Sequence, residues 1–168
     1  DLKTYMEQLK NDQLPIFFNA YEWLLMNTDI KNKLYNNLQL TSNTVANKYN
    51  IISYLLTNER YNQFTKKLIL NHKLNSYNSA ELSDIMIAAI HGNLDMLIFF
   101  RNNLYDMNAI TTYKYTALHF AIKYCKTTSN EQTVVYLMNE VNWSYDMLTY
   151  AMPYVSDELY KYMKDMTQ

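Results

Sequence analysis

An all-α fold built from short helix pairs is what this sequence predicts, on three observations. Glycine occurs once and proline twice in 168 residues. Both residues punctuate turns and break helices, so their near-absence leaves a chain disposed to be helical almost throughout. Apolar residues recur at spacings of three and four, the period of one buried helix face. From about Thr44 onward the periodic segments are short and come in couples.

The first quarter carries three helical stretches without a repeat rhythm. Leu2, Tyr5, Met6 and Leu9 share one face; Leu14 to Met26 follows, with Pro15 where a helix start tolerates it. Thr28 or Asp29 can cap a third helix bearing Ile30, Leu34, Tyr35 and Leu38. Thr41 to Thr44 is polar and reads as a loop. The paired segments then begin. Ile51 to Asn58 is one helix; Asn62 to Leu70 is its partner, with Phe64, Leu68 and Ile69 inward, and His72 to Asn78 is a loop.

The next couple is Glu81–Ile90 and Leu94–Asn102, with Ser83 and Asp84 as oxygen caps and Gly92, the only glycine, at the turn. A chain that uses glycine once is expected to need its conformational freedom there. A loop from Asp106 to Tyr115 leads to Thr116, the N-cap candidate of Ala117–Tyr124. Cys125 and the stretch Lys126 to Asn130 connect that helix to the returning helix Glu131–Val141. The last couple, Tyr145–Met152 and Asp157–Met166, is broken by Pro153.

The run Ala88-Ala89-Ile90-His91-Gly92-Asn93-Leu94-Asp95, with Asp106-Met107-Asn108-Ala109 after it and Thr116-Ala117-Leu118-His119-Phe120-Ala121 beyond, resembles an ankyrin repeat. The family pattern is T-P-L-H-x-A-A, a glycine turn and a second helix ending in an Asp-Val-Asn-Ala-like loop; Ala88 to Ala109 fits it without insertion or deletion. The resemblance is strong over Asn75–Val141, weaker over Thr44–Leu74 and Trp143–Met166, and absent earlier. It implies a solenoid of stacked helix pairs of ~33 residues each, at about 44–77, 78–110, 111–143 and a terminal cap at 144–168, preceded by a helical extension or cap at 1–43. The heavy use of Asn, Tyr, Ile and Lys, whose codons are AT-rich, suits the divergent ankyrin proteins of large DNA viruses such as poxviruses, or of intracellular bacteria.

Stacked pairs need small residues where first helices meet, which is the expected duty of Ala88, Ala89 and Ala121. Leu94, Leu97, Ile98, Phe99 and Phe100 are expected to bring bulk inward from the second helix. In the family Thr116 and His119 bond to backbone, so both are structural here, together with Gly92. Against the family pattern Cys125 stands where the turn glycine is expected, and Lys126 to Asn130 reads as a short insertion. The resemblance places the variable partner-contacting positions at Ser79, Ala80, Leu82, Ile90 and His91 in one repeat and at Thr112, Tyr113, Tyr115, Lys123 and Tyr124 in the next. Tyrosine suits such a surface, with a large contact area, a polar tip and little rotamer entropy to lose.

No catalytic, metal or cofactor site is expected. The histidines His72, His91 and His119 are scattered, no Cys/His pair has zinc spacing, and one glycine cannot form a phosphate-cradling loop. Cys125 is expected as a free thiol at a turn. Asp84, Asp95 and Asp106 read as a cap, a solvated residue and a loop hydrogen-bonder, not as an acid/base pair. Asn142-Trp143-Ser144 fits a glycosylation acceptor by spacing alone, with Trp143 expected in the core. A net charge of −1 argues against nucleic acid. No run of about 18 apolar residues is present, so no membrane span is expected. A lone cysteine suits a reducing, cytoplasmic compartment, a host's included. The chain starts at Asp1, as a fragment or processed chain would. The expected function is a non-enzymatic module binding a protein partner, host or otherwise. The alternatives are a helical docking domain of a larger enzyme or effector whose activity lies in Asp1–Leu40, and a helical bundle of another family.

Overall fold

The computed structural model describes residues 52, 55–72 and 82–167, and every regular element among them is a helix. The expected helices before Ile51, the loop through Asn75, and Ser79 and Ala80 lie outside the described residues. Contacts divide the chain into two units, at Glu81 and Leu82.

In the first unit Ile52 and Leu55 are helical and buried. Asn58 ends that stretch and starts the next: its Oδ1 accepts from the Arg60 amide at 3.0 Å, opening a 3-10 turn, Glu59–Tyr61, that runs into α1 (Asn62–His72). Helix α1 outruns the expected end at Leu70 and takes in His72, which the sequence places in a loop. Ile69 is buried as its spacing requires, while Leu70 faces out. The side chains of Phe64 and Leu68 lie outside the described residues.

The second unit holds α2 (Asp84–Ile90), α3 (Leu94–Asn102), α4 (Ala117–Lys123), α5 (Glu131–Glu140), α6 (Asp146–Ala151) and α7 (Asp157–Met166). Short polar side chains fix four of the starts by accepting a first-turn amide. Ser83 Oγ takes that of Met86 at 3.2 Å, Asn93 Oδ1 that of Met96 at 3.4 Å, Asn130 Oδ1 that of Thr133 at 2.8 Å, and Ser156 Oγ that of Leu159 at 3.1 Å. Each such cap is worth about 1 kcal/mol. Glu81 is outside the described residues, and Asp84 opens α2. At their other ends α4, α5 and α6 stop one residue short of the expected Tyr124, Val141 and Met152, and α6 also starts one residue after Tyr145.

Packing follows the couples. Helix α2 packs on α3, α4 on α5 and α6 on α7; α4 also touches both α2 and α6, and α3 touches α5. Ala88, Ala89, Ala121 and Ala151 are wholly buried, and the short side chain is what lets α4 lie close between its neighbours. Ala89→Leu is therefore expected to lower stability by about 1–3 kcal/mol by overpacking, read as a lower urea midpoint at unchanged slope.

Helix α3 corrects one expectation. Met96, Leu97 and Phe100 are fully buried, but Ile98 is 40 % exposed and Leu94 and Phe99 are only half-buried. Five inward residues in seven would need most of the helix circumference, whereas α3 has partners on only part of it. Phe100 instead stacks on Tyr105 beyond the helix end, ring centroids 4.6 Å apart.

The turn between α2 and α3 needs its glycine. Gly92 has φ +62°, and a Cβ there would sit 2.5 Å from Asn130 Nδ2. The expected insertion explains the crowding. Thr128 Oγ1 donates to the Ile90 carbonyl, and Asn130 Nδ2 donates to the Gly92 carbonyl at 3.3 Å. Lys126–Asn130 thus ties the turn after α4 to the turn after α2. Cys125 is buried, and it is not among the residues with positive φ, so the longer connection turns the chain there without glycine.

Candidate functional site

The loop before α4 is a narrow finger. The Lys114 amide donates to the Thr111 carbonyl and the Thr111 amide to the Tyr115 carbonyl, both at 2.9 Å. Lys114 at its tip has φ +68°, left-handed for a side-chain-bearing residue. Replacing it by glycine should relieve this and stabilise the fold by about 1 kcal/mol, measured by thermal denaturation; an unchanged midpoint would mean the backbone is unstrained.

Thr116 follows the finger and starts α4 with His119. His119 Nδ1 accepts the Thr116 backbone N–H at 3.0 Å, and Thr116 Oγ1 lies 3.0 Å from the same nitrogen. An accepting Nδ1 leaves the ring proton on Nε2, and burial holds the imidazole pKa below its ordinary value, so the ring is neutral. In the preceding couple Ser83 and Met86 occupy the corresponding places: the Ser83 amide donates to Met86 Sδ at 3.4 Å. The sulfur does what the imidazole does one couple later.

On the outward side of α4 and α6 lies a cluster of rings. Tyr115 stands edge-on to His119 at 5.2 Å and to Phe120 at 6.3 Å, and lies 6.0 Å from Tyr150. Tyr150 packs on His119 at 4.9 Å and on Tyr154 at 5.6 Å, and its hydroxyl donates to the His119 carbonyl at 3.2 Å. Burial, then the neighbouring phenols of Tyr154, Tyr115 and Tyr124, push the Tyr150 hydroxyl up to about 12. Lys123 Nζ lies 5.7 Å from the Tyr124 ring centre, within cation–π range. All of these rings are half-buried except that of Tyr115, which is 41 % exposed.

Of the partner-contacting residues expected from sequence, the structure brings Tyr115, Lys123 and Tyr124 to this cluster. Tyr113, 82 % exposed at the finger tip beside exposed Thr112, makes no ring contact among the described residues. Leu82, Ile90 and His91 flank the two ends of α2 and are half-buried; burial lowers the His91 pKa. Phe120, Tyr150 and Tyr154 complete the cluster and were not read from sequence. Their signal is a shared burial pattern. Ala117, Leu118, Ala121 and Cys125 are buried in α4 and its end, as Met147, Leu148, Ala151 and Val155 are in and after α6. Matching these rows sets Phe120 against Tyr150 and Tyr124 against Tyr154.

Beside the cluster lies a groove of about 470 Å³, lined among others by Lys114 and His119 on one side and Trp143, Asp146 and Met147 on the other. Trp143 is half-buried, not in the core, and its Nε1–H donates to the Met138 carbonyl at 3.0 Å. Asn142 is exposed, with its backbone amide donating to Asn108 Oδ1 at 2.7 Å. Asp106 Oδ1 accepts from the Asn108 amide at 2.9 Å, the loop role expected of it, and Asp95 is exposed. Asp84 departs from expectation: Ser83 is the cap, and the Asp84 carboxyl is buried, its pKa pushed up to about 7 by loss of water. None of the described helices is long and apolar enough to cross a membrane. No protein-family model matches the chain, and no curated protein matches it in sequence.

Proposed function

We propose that the chain is a non-catalytic ankyrin-type module that binds a protein partner through the first helices of its couples and the loops before them. The observation that carries this reading is the ring cluster of Tyr115, His119, Phe120, Tyr150 and Tyr154. It spans α4 and α6, the first members of consecutive couples, and leaves large aromatic surface partly open where anchoring residues are most effective. The order of helix contacts supports the family reading: each second helix packs on its own first helix, and α4 packs between α2 and α6. The Ser83–Met86 and Thr116–His119 pairs, one in each couple, add to it. A buried lone thiol fits a reducing compartment, and the cytosol, a host's included, is where we place the partner.

Photo-crosslinking tests the assignment of the face. A benzophenone side chain is placed at Tyr113 or Lys123 on the proposed face, or at Asp95 or Tyr162 on the second helices α3 and α7. The full chain is then exposed to cell extract. The proposal expects one discrete protein adduct from the first two positions, lost when Tyr124 is also changed to alanine. Adducts only from Asp95 or Tyr162 would overturn it and move the binding surface to the second helices.

A further inference from the structure

Charge is divided unequally between the two sides of the second unit. The stretch from Met107 to Asn130, which forms the finger, α4 and its following turn, contains three lysines and no aspartate or glutamate. Lys114, Lys123 and Lys126 are exposed and make no ion pair among the described residues. The acids lie mainly on the second helices: Asp95 on α3, Glu131 and Glu140 on α5, and Asp157, Glu158 and Asp165 on α7. There Arg101 pairs with Glu140 at 3.1 Å. Away from the second helices the carboxylates are Asp106, exposed in the loop before the finger and accepting from the Asn108 amide, Asp146, which lines the groove with Lys114, and Asp84, which is buried.

The hydroxyls of Tyr115, Tyr124 and Tyr154 make no hydrogen bond within the described residues, whereas that of Tyr150 is committed to the His119 carbonyl. A phenol is a good donor to a carboxylate, and an ammonium has donors only. The face therefore offers aromatic area, free O–H donors and two unpaired cations, Lys114 at the finger and Lys123 beside Tyr124. The groove between Lys114 and Trp143 adds a place for one apolar side chain.

Resting on the interaction module proposed above, we infer that its partner presents an acidic segment in which carboxylates alternate with apolar side chains. The carboxylates meet Lys114, Lys123 and the tyrosine hydroxyls, and the apolar side chains cover the rings of Tyr115 and Phe120. The acids of α3, α5 and α7 repel the same segment from the opposite side, which directs it to one face.

The test is selection of a random-peptide display library on the full chain, with affinities of the enriched peptides measured by fluorescence polarisation. Enriched peptides should be acidic and apolar. Their binding should weaken at least tenfold in Lys114→Glu/Lys123→Glu and weaken as salt is raised. It should be unchanged in Lys161→Glu/Lys164→Glu on α7, which leaves the face untouched. Neutral or basic winners, or acidic winners indifferent to Lys114 and Lys123, would overturn the inference. If such winners still depend on Tyr115 and Phe120, the interaction face stands and only its charge preference fails. Winners that depend on neither the lysines nor the rings, or no enrichment at all, count against both.

Discussion

Asp84→Asn is expected to raise stability at pH 8 by about 2–4 kcal/mol while changing little at pH 4. Asp84 opens α2 and is 5 % exposed, and burial lifts its carboxyl from an ordinary 3.8 to about 7. The unfolded chain releases this proton near its ordinary value, whereas the folded chain keeps it almost to neutrality. Between those two values the native state holds more protons, so stability falls as pH rises from about 4 to about 7 and is flat above. The lower end of the range allows for the amides at the start of α2, which favour a negative charge. Asparagine keeps the shape and the hydrogen-bonding capacity and removes the ionisation. Urea titrations across this pH range should show a falling midpoint for the parent and a level one for the variant. The phenol of Tyr105 should respond as well: burial first and the charge of Asp84 second hold its pKa up, so the variant should lower it.

Gly92→Ala is expected to lower stability by about 2–4 kcal/mol. A left-handed backbone costs an L-residue about 1–2 kcal/mol, and Gly92 has φ +62°. The remainder comes from the docked segment. The new Cβ would stand 2.5 Å from Asn130 Nδ2 and 3.1 Å from Ser129 Cα, and the backbone cannot give way as a side chain can. Displacing this segment sacrifices the hydrogen bonds from Thr128 to Ile90 and from Asn130 to Gly92, and it disturbs the Asn130 cap of α5. Each lost hydrogen bond is worth about 1 kcal/mol. Chemical denaturation gives the total, and adding Asn130→Ala should recover part of the loss by making room. No recovery would place the whole effect in the backbone of Gly92.

What could be read from the sequence was local. The starts at Thr116 and Ser83, the glycine turn and the buried alanines follow from caps, φ preferences and side-chain size, which act within a few residues. What could not be read depends on neighbours distant in sequence. Asp84 looks like a cap because it stands next to one, and only packing beyond α2 shows that its carboxyl is dry. Lys126–Asn130 looks like an insertion because its partners, the carbonyls of Ile90 and Gly92, lie a full couple earlier. Ile98 has an inward residue's composition on a helix face left without a partner. Tyr150 and Tyr154 were hidden because the last couple lacks the Thr-x-x-His signature and is broken by Pro153. Their membership of the ring cluster appears only when α6 lies against α4. The contacts also temper the picture of Tyr115, whose ring meets three others and is not merely a surface side chain.

The central claim is that the ring-bearing face binds a protein, and the affinity of Tyr115→Ala/Tyr124→Ala for the partner captured by crosslinking tests it most directly. Aromatic pairs are worth about 0.5–1.5 kcal/mol beyond their buried area, so the double variant should lose about 1–2 kcal/mol of stability and remain folded, as circular dichroism and urea titration on the same samples would show. Binding measured by titration calorimetry should weaken at least tenfold, because an anchoring tyrosine contributes about 2 kcal/mol or more. Parent-like affinity in a folded double variant would contradict the account and move the binding site off this face.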